Sequence, residues 1–559
     1  MGLLKKPSKP KPLRTASHGG GGVSSLRPQP VEKLPPCLKT CPSGNDIRGW
    51  LTIIAQRDKN KLTLEEAYDQ AWLLAAQTTP FPAIMGRVCP HPCEGQCSRV
   101  AKDGAVAINA VERSIGDWGL QRKLKLPRLE AGGPFAERIA VVGAGPAGLS
   151  FAYQMARRGY PVVVFESLAA PGGMLRYGIP DYRLPRQVIE AEIGRIVELG
   201  VELRCGTTIG KDITLEQLQK DFAAVFVGIG AHLGKKLGIP GEDGPGVYTG
   251  TDFLRRVAMG QPPPVGRKVV VIGGGDTAID AARVSLRGGK SEVTILYRRT
   301  RAEMPAIARE IEEALEEHIG LELLAAPAEI LRGADGNVCK MVVQRMQLGE
   351  PDASGRRRPV PIAGDLAEIE VDTVISAVSQ EPDWMTVRCL GSGLKVDDWG
   401  HGVEADLWSG GDDLRLGIAT TAIGQGRRAA LALHAALRGQ EPELPSHGPE
   451  VDPKRLKLDV YEAKERAQRA VLAAADRLAR PAEEIDRGVT SEQALAEASR
   501  CLSCGLCFGC ERCWMYCTPS CFSKADPARP GAYYRIKLDT CDGCKKCADE
   551  CPCGFIDMI

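Results

Sequence analysis

Two cysteine runs late in the sequence constrain the fold more than any other feature. The spacing Cys-x2-Cys-x2-Cys-x3-Cys occurs over residues 507–517 and again over residues 541–551, where Pro552 follows directly. This is the spacing of two interlocked [4Fe–4S] clusters, in which the fourth thiolate of each run ligates the other cluster. We therefore predict one cluster on Cys507, Cys510, Cys513 and Cys551 and a second on Cys541, Cys544, Cys547 and Cys517.

Zinc and disulfides are the alternative uses of such cysteines. A zinc ribbon takes four ligands from two separated knuckles and does not use two interlocked runs. A disulfide scaffold requires a secreted protein, and residues 1–33 lack the apolar segment of a signal peptide. Twenty cysteines without such a signal favour metal ligation in a reducing compartment, so we expect a cytoplasmic protein.

Length and charge narrow the class of protein. A chain of 559 residues exceeds what one hydrophobic core supports, so three or four domains are expected. The formal net charge of +2 offers no basic field for nucleic acid, and no stretch approaches the roughly 20 apolar residues of a membrane span. Residues 1–33 are rich in Lys, Pro, Gly and Ser, which predicts a flexible tail, with partner docking as the alternative.

A glycine turn near the middle of the first half predicts a dinucleotide site. An apolar strand from Ile139 runs into this turn, a helix follows over 146–158, and the next strand ends in Glu166. Such glycines let the backbone approach a pyrophosphate, the helix start attracts its charge, and the acid accepts from ribose hydroxyls. The predicted contacts are Gly143, Gly145, Pro146, Ala147, Gly148 and Glu166.

The pattern recurs over residues 268–278, but the strand after it ends in Arg298 and Arg299 instead of an acid. A guanidinium can grip a 2′-phosphate with two parallel hydrogen bonds. We therefore expect FAD at the first turn and NADPH at the second; if the arginines only solvate the strand end, NADH would serve equally. The predicted contacts at the second turn are Gly273, Gly275, Asp276, Thr277, Ala278, Arg298 and Arg299.

A third strand end, over 407–412, closes with Asp412 and precedes an alanine-rich helix that contains Ala422. In flavoproteins with two dinucleotide sites, such an Asp bonds the ribityl chain of FAD while the start of the helix faces the flavin. An ordinary strand-to-helix turn is the alternative. This interpretation splits the FAD domain into 137–240 and 379–440 around an inserted NAD(P)H domain, 241–378.

These motifs, together with residues 172–180, 297–305 and 422–427, resemble the small subunit of glutamate synthase and its relatives, which include the N-terminal half of dihydropyrimidine dehydrogenase. The resemblance extends from about residue 35 to residue 440. It implies an α/β two-dinucleotide-binding flavoprotein with Gly173 and Met174 at the FAD. We expect this core to be flanked by an α-helical iron–sulfur domain over 34–136, a helical linker over 441–490 and an α+β ferredoxin-like domain over 491–559.

The same resemblance implies cluster ligands in the N-terminal domain. Cys41, Cys89, Cys93 and Glu112 match one cluster, and Cys37 and Cys97 match half of another. In the family, the first two ligands of that second cluster come from an upstream Arg-Cys-x-x-Cys-Gly segment, which is absent before Cys37 here. A matching segment stands at residues 500–505 instead. We therefore hypothesise that the chain folds back and that Cys501 and Cys504 complete a fourth cluster with Cys37 and Cys97. Alternatively, Cys37 and Cys97 are small core residues, and the other pair is free or binds zinc.

Residues 504–517 and 541–555 look most like the DsrL type, the NAD(P)H:acceptor oxidoreductases that partner dissimilatory sulfite reductase. This resemblance implies flavin-centred electron transfer, without catalytic side chains, between a nicotinamide nucleotide, FAD, [4Fe–4S] clusters and a partner in sulfur metabolism. A homodimer or hetero-oligomer is compatible with it. The flavin and nucleotide domains lack the Cys-x-x-Cys of a disulfide reductase.

Three alternatives to this function stay open. Two are enzymes, a glutamate synthase small subunit and an NADPH:ferredoxin transhydrogenase subunit. The third is an iron–sulfur electron-carrier or assembly module whose flavin site is vestigial. Retention of the glycine turns, Glu166, Asp412 and the arginine pair counts against that third alternative.

Overall fold

The computed structural model describes residues 24–129, 133–289, 291–353, 355–387, 393–403 and 406–559. Residues 1–23 of the predicted tail lie outside the described part of the chain. Among the residues described, no helix is both long enough and apolar enough to cross a membrane.

The N-terminal domain is a layer of short helices packed on the flavoprotein core. Trp50, Trp72 and Phe81 are completely buried in it, and their cluster continues without a break into Phe151 and Tyr153 of the next domain. A continuous core of this kind fixes the two domains relative to each other, since opening it would expose aromatic surface. The helices are Pro36–Thr40, Ile47–Ala55, Leu64–Ala76, Pro82–Val88, Pro92–Gly95, Val100–Asp103 and Ile108–Gln121.

A parallel sheet forms the centre of the first dinucleotide fold. Its central strands, Ile139–Val142 and Val162–Glu166, are apolar runs that are buried along their whole length, as is typical of a parallel sheet covered on both faces. In spatial order the strands are Trp408–Ser409, Ala224–Val227, Ile139–Val142, Val162–Glu166 and Glu202–Cys205, each parallel to its neighbours. The accompanying helices are Pro146–Ala156, Met174–Tyr177, Arg186–Val197, Leu215–Asp221, Trp384–Val387 and Ala419–Leu437.

The edge strand Trp408–Ser409 belongs to chain that returns after a second dinucleotide fold. That second fold has a parallel sheet ordered Gly320–Leu323, Glu292–Tyr297, Lys268–Ile272, Thr373–Ser376 and Val247–Thr249. An antiparallel sheet is formed beside it by Ala325–Arg332, Val338–Pro351 and Arg357–Glu370. The helical segments are Gly250–Ala258, Asp276–Arg287, Ala308–Glu316 and the 3-10 turn Arg301–Glu303.

The chain enters and leaves the inserted fold through a two-stranded ribbon. Leu233–Gly234 pairs antiparallel with Gln380–Glu381, so the two crossings run side by side. The architecture predicted from the sequence, an α/β flavoprotein with one dinucleotide domain inserted into another, is confirmed.

The C-terminal module is a small α+β unit around the cysteine runs. Its hairpin pairs Phe522–Arg529 with Ala532–Ile536, and its short helices are Ser491–Ala498, Arg512–Tyr516 and Lys546–Asp549. Its core combines Tyr461, Phe508 and Phe522 with the cysteine side chains. The last strand, Ile556–Met558, pairs antiparallel with Pro28–Pro30 from the other end of the chain.

That pairing corrects the predicted boundary of the tail. Residues 28–30 were expected to be flexible but form an edge strand, and the Val31 amide donates to the Phe555 carbonyl at 2.9 Å. Proline is tolerated at the edge of a sheet because it only lacks a donor there. Composition could not reveal this strand, because its partner lies more than 500 residues away in the sequence.

We call residues 441–490 the connector. The prediction that this segment is helical is wrong for most of its length. The connector contains 3-10 turns at Pro453–Arg455 and Leu458–Val460, a ribbon of Ala470–Val471 with Asp486–Gly488, and one short helix, Ala474–Ala479. Between these elements, two of its amides bond to side chains of neighbouring domains: Lys464 N donates to Asp103 and Ala467 N to Glu497, both at 2.8 Å. Helical periodicity in the sequence is overridden by these long-range contacts.

Two N-terminal helices cross at very short range. A Cβ added at Gly116 would lie 2.3 Å from the Cα of Ala83, and one added at Gly86 would lie 2.3 Å from the Cα of Arg113. Because the obstructing atoms are backbone, the helices Pro82–Val88 and Ile108–Gln121 would have to move apart to admit a side chain. This crossing sets the position of Cys89 relative to Glu112.

We expect Gly116→Ala to lower the free energy of unfolding by about 1–3 kcal/mol, the usual cost of overpacking a core. Gly194→Ala is the matched control, because Gly194 also lies in a helix but a Cβ there would meet nothing within 4 Å. The control should be neutral or stabilising, by at most about 1 kcal/mol. Thermal unfolding followed by circular dichroism measures both; equal midpoints for the two variants would contradict the close crossing.

Candidate functional site

A cavity of about 410 Å³ lies between the two dinucleotide folds. It brings together residues that the sequence placed in two separate motifs. From the first set it is lined by Gly143, Gly145, Pro146, Ala147, Glu166, Gly173, Met174, Asp412 and Ala422, and from the second by Asp276 and Thr277. The predicted residues Gly148, Gly273, Gly275, Ala278, Arg298 and Arg299 do not line it.

The first glycine turn has the geometry of a pyrophosphate cradle. Gly143 has φ of +99°, and a Cβ there would lie 2.3 Å from the Gly228 carbonyl oxygen, so only glycine fits. At Gly145, in contrast, the nearest atom to an added Cβ is the Gly173 Cα at 3.9 Å. The structure therefore leaves open space at the start of the helix Pro146–Ala156, where the helix dipole favours a negative charge.

Glu166 fixes the turn and also faces the cavity. Its carboxylate accepts from the Ala144 amide at 2.9 Å and from the Leu168 amide at 2.8 Å. Burial raises the pKa of Glu166, while these backbone donors lower it. A carboxylate oxygen has more than one lone pair, so the side chain can still accept from a ribose hydroxyl.

Asp412 lines the same cavity and follows the edge strand Trp408–Ser409, which the returning chain supplies. Its Oδ1 accepts from the Gly417 amide at 3.0 Å, and burial raises the pKa of Asp412. The helix Ala419–Leu437 begins immediately afterwards, and Ala419 and Ala422 line the cavity. These residues fit an FAD whose pyrophosphate would lie at the glycine turn and whose adjoining ribityl chain would reach Asp412.

The two arginines that follow the second glycine turn differ in exposure and in their contacts. Arg298 is exposed at the strand end, whereas Arg299 is buried and forms an ion pair with Asp352 at 2.7 Å. Arg299 also donates to the Arg357 carbonyl at 2.7 Å. The expectation that both arginines face a phosphate is therefore corrected: Arg299 is committed to the adjacent antiparallel sheet, and Arg298 is the one left accessible.

The N-terminal domain reaches the same cavity, which the sequence did not reveal. Val88 and Pro90 line it, and Cys89 lies between them. The Cys89 Sγ is 3.9 Å from the Thr420 Oγ1, at the start of the flavin-facing helix. Only tertiary contact makes this connection, and neither Val88 nor Pro90 carries a motif that could have signalled it.

Cys41, Cys89, Cys93 and Glu112, which the family resemblance predicts as ligands of one cluster, lie near enough to one another beside this point for their charges to interact. Burial, and then the nearby Glu112 carboxylate, raise the pKa of Cys89 to about 12. Burial raises the pKa of Glu112 to about 7. Burial thus favours the protonated, neutral forms of these groups. Three thiols and one carboxyl are nevertheless a donor set that fits a [4Fe–4S] cluster, which would bind the thiols as thiolates.

Cys37, Cys97, Cys501 and Cys504 line one small cavity at the contact between the N-terminal and C-terminal modules. Burial raises the pKa of Cys501 to about 12 and that of Cys504 to about 11, with neighbouring thiols adding to both. Arg48 donates to the Cys504 carbonyl at 2.8 Å, and Arg500 donates to the carbonyls of Asp103 and Gly104 at 2.9 Å. The modules are therefore fixed around these thiols.

The two ferredoxin-type sets are also brought together. A cavity is lined by Cys517, Cys541, Cys544 and Cys547, with Cys521 as a fifth thiol. Burial and the thiols of Cys551 and Cys507 raise the pKa of Cys510 to about 12. The Cys553 Sγ lies 3.8 Å from that of Cys551, so Cys521 and Cys553, which belong to neither cysteine run, both adjoin proposed cluster positions.

In the part of the chain that the structure describes, no three His, Cys, Asp or Glu side chains converge closely enough to hold a single metal ion. The thiolates of a cubane surround a body of four irons and four sulfides, so they need not converge to that extent.

Two families match the chain. Pyridine nucleotide-disulphide oxidoreductase matches residues 137–426, and dihydropyrimidine dehydrogenase domain II, with its 4Fe-4S cluster, matches residues 32–124. The first family's name includes disulphide chemistry, but the matched residues of this chain contain no Cys-x-x-Cys. The predicted oxidoreductase class, with an FAD and NADPH-binding domain and a 4Fe-4S domain, is confirmed.

Curated relatives are similar over most of their own length. The NADPH-Fe(3+) oxidoreductase subunit beta of Geobacter sulfurreducens is 37% identical, over 84% of this chain and 75% of the relative. The NADP(+)-dependent formate dehydrogenase subunit beta of Moorella thermoacetica is 36% identical over 84% and 70%, and the NADPH glutamate synthase small chain of Escherichia coli is 34% identical over 71% and 87%. The chain therefore belongs to the pyridine nucleotide-disulphide oxidoreductase family, as an FAD-dependent iron–sulfur NAD(P)H oxidoreductase of the glutamate synthase small-subunit type.

Proposed function

We propose that this chain transfers electrons between NADPH and a protein partner by way of FAD and four [4Fe–4S] clusters. When bound, FAD supplies the exchange between a hydride, which carries two electrons, and the single electrons that iron–sulfur clusters accept. The observation that carries the proposal is the cavity itself. It is lined on one side by Asp276 and Thr277 of the nucleotide fold and on another by Val88 and Pro90, which flank Cys89.

The four proposed cluster sites follow one another through short chain segments. Residues 37–41 and 93–97 each join the site at Cys89 to the site at Cys501, and residues 504–507 join the latter to the first ferredoxin-type site. Residues 513–517 and 547–551 join the two ferredoxin-type sites. Four residues of backbone span at most about 14 Å, so consecutive sites are neighbours. This supports a continuous relay from the flavin cavity to the C-terminal module.

The contacts between modules keep the relay together. Lys59, from the N-terminal domain, donates to the carbonyls of Phe508 and Gly509 at 2.8 and 2.9 Å. Arg99 and Arg500, each only 1% exposed, bond across the same boundary. Each arginine also pairs with a carboxylate of its own module, Asp103 for Arg99 and Glu497 for Arg500, so the bonds to carbonyls across the boundary add to pairs that already hold the guanidinium groups in place.

The iron content per chain measures how many of the proposed cluster sites are occupied. We expect the double variant Cys501→Ser, Cys504→Ser to lose about four irons per chain, because a hydroxyl is a poor ligand for a cluster. Flavin content should be unchanged, and NADPH should still bleach the flavin but no longer generate the EPR signals of the ferredoxin-type clusters.

The matched control is Cys339→Ser, at an exposed thiol outside every proposed site, which should keep all iron. An unchanged iron content in the double variant would refute the fourth cluster. Clusters that stay oxidised in the wild-type protein after equilibration with NADPH would refute the relay as a whole.

The preference for NADPH should rest on Arg298. We expect Arg298→Ala to raise the KM for NADPH about 10- to 100-fold, because a hydrogen bond to a charged group contributes about 1.5–3 kcal/mol. The KM for NADH should change little. Arg299→Ala is the comparison: it should weaken both nucleotides alike and lower the unfolding temperature, since Arg299 binds Asp352. Equal effects of Arg298→Ala on the two nucleotides would rule out a phosphate contact.

Two partners are candidates. The DsrL-like cysteine segments at 504–517 and 541–555 support dissimilatory sulfite reductase, with electrons running either from NADPH to sulfite or from sulfur oxidation to NAD(P)+. The Escherichia coli relative, covered over 87% of its length, supports a glutamate synthase large chain as the second candidate.

A tagged copy of the full chain, isolated from its native cells, distinguishes the two candidates. We expect the co-isolated protein to show sirohaem absorbance and the complex to reduce sulfite with NADPH. A complex without sirohaem that forms glutamate from glutamine, 2-oxoglutarate and NADPH would reject the first partner and establish the second.

A further inference from the structure

The connector brings two arginines to the cluster site nearest the flavin cavity. Arg466 forms an ion pair with Glu94, the neighbour of Cys93. The Arg469 Nη2 donates to the Asn109 Oδ1 at 2.5 Å. Neither arginine belongs to a cofactor motif, and both come from the segment that links the flavoprotein core to the ferredoxin-like module.

Asn109 holds the guanidinium group of Arg469 near Glu112. It precedes Glu112 by three residues in the helix Ile108–Gln121, so the two side chains share a face. The Asn109 Nδ2 donates to the Met85 carbonyl at 2.9 Å, which leaves its Oδ1 pointing to Arg469. Because Asn109 is only 2% exposed, this orientation is held away from water.

Arg469 is held from behind by Asp486. Its Nη1 lies 2.7 Å from the Asp486 Oδ2, which is also 2.7 Å from Nη1 of Arg309 in the nucleotide fold. Arg113 bonds the other carboxylate oxygen of Asp486 at 3.1 Å. Arg309 and Arg113 also pair with other carboxylates, Glu313 and Glu484 respectively. Arg469 pairs with Asp486 through Nη1, while its Nη2 lies on the Asn109 side, so the positive end of this ion pair is the one turned toward the cluster site. Its side chain is 13% exposed, which limits screening by solvent.

We infer that Arg469 is a positioning residue that raises the reduction potential of the cluster proposed at Cys41, Cys89, Cys93 and Glu112. The inference rests on the proposed function, which assigns that cluster and the NADPH that supplies its electron. Reduction adds one electron to this site, and a fixed positive charge nearby stabilises the added negative charge. The connector therefore favours the first transfer out of the flavin cavity whenever the ferredoxin-like module is docked.

Two variants that break the same ion pair test the inference, because they change the charge in opposite directions. In the full-length holoprotein we expect Arg469→Gln to shift the midpoint potential of this cluster downward and Asp486→Asn to shift it upward. The signal is identified as the one that Cys89→Ser abolishes, and the potential is measured by EPR during anaerobic redox titration. Arg469→Lys, which keeps the charge, should restore most of the wild-type value.

The control is Arg480→Gln, an arginine of the same connector that is 49% exposed and should leave the potential unchanged. Potentials of Arg469→Gln and Asp486→Asn that move in the same direction, or not at all, would overturn the inference and leave Arg469 a structural residue. If Arg469→Gln loses iron, Asp486→Asn decides alone: a midpoint potential that does not rise above the wild-type value overturns the inference. Absence from the wild-type protein of any signal that depends on Cys89 would instead refute the proposed function.

Discussion

The docking of the ferredoxin-like module onto the N-terminal helices is the interaction on which the rest of the structure depends. Arg99 and Arg500 are buried at this boundary, and each combines an ion pair within its own module, with Asp103 and Glu497 respectively, with bonds to main-chain carbonyls of the opposite module. These direct bonds fix the orientation of the two modules, because a guanidinium group donates to several carbonyls only in one relative arrangement. The same boundary aligns thiols from distant parts of the sequence, Cys37 and Cys97 with Cys501 and Cys504, around one cavity.

This boundary also explains the unusual path of the connector. A solvated helix would leave the C-terminal module free to move. In the observed connector, the Lys464 amide donates to Asp103, Arg466 pairs with Glu94 and Arg469 pairs with Asp486. Asp486 in turn contacts Arg309 of the nucleotide fold and Arg113 of the N-terminal helices. The connector therefore joins the nucleotide fold, the iron–sulfur domain and the ferredoxin-like module in one ionic junction. Electron transfer benefits from such rigidity, since the relative positions of the proposed centres do not have to be re-established at each turnover.

Local patterns allowed much of the site to be predicted. Gly143 and Gly145 were recognised because backbone geometry restricts what can stand there, and the structure shows a blocked Cβ position at one and an open cradle at the other. The two parallel sheets followed from apolar runs bounded by glycine turns. Long-range contacts were not predictable: the strand Pro28–Pro30 depends on a partner at the other end of the chain, and the second guanidinium of the arginine pair is diverted to Asp352. Val88 and Pro90 carry no signal, because apolar residues next to a cysteine look the same in any core.

The sequence by itself determined the chemistry that this protein can support. Cysteine spacing and glycine turns specify ligand types over a few residues, where the geometry of the chain leaves little freedom. Only the tertiary structure decided which of these local sites adjoin: that Cys89 lies against the flavin-facing helix, that Cys501 meets Cys37, and that Arg469 faces Asn109. The reason is physical. Contacts between residues hundreds of positions apart depend on how whole domains bury their surfaces and satisfy their buried charges, and no short segment encodes that outcome.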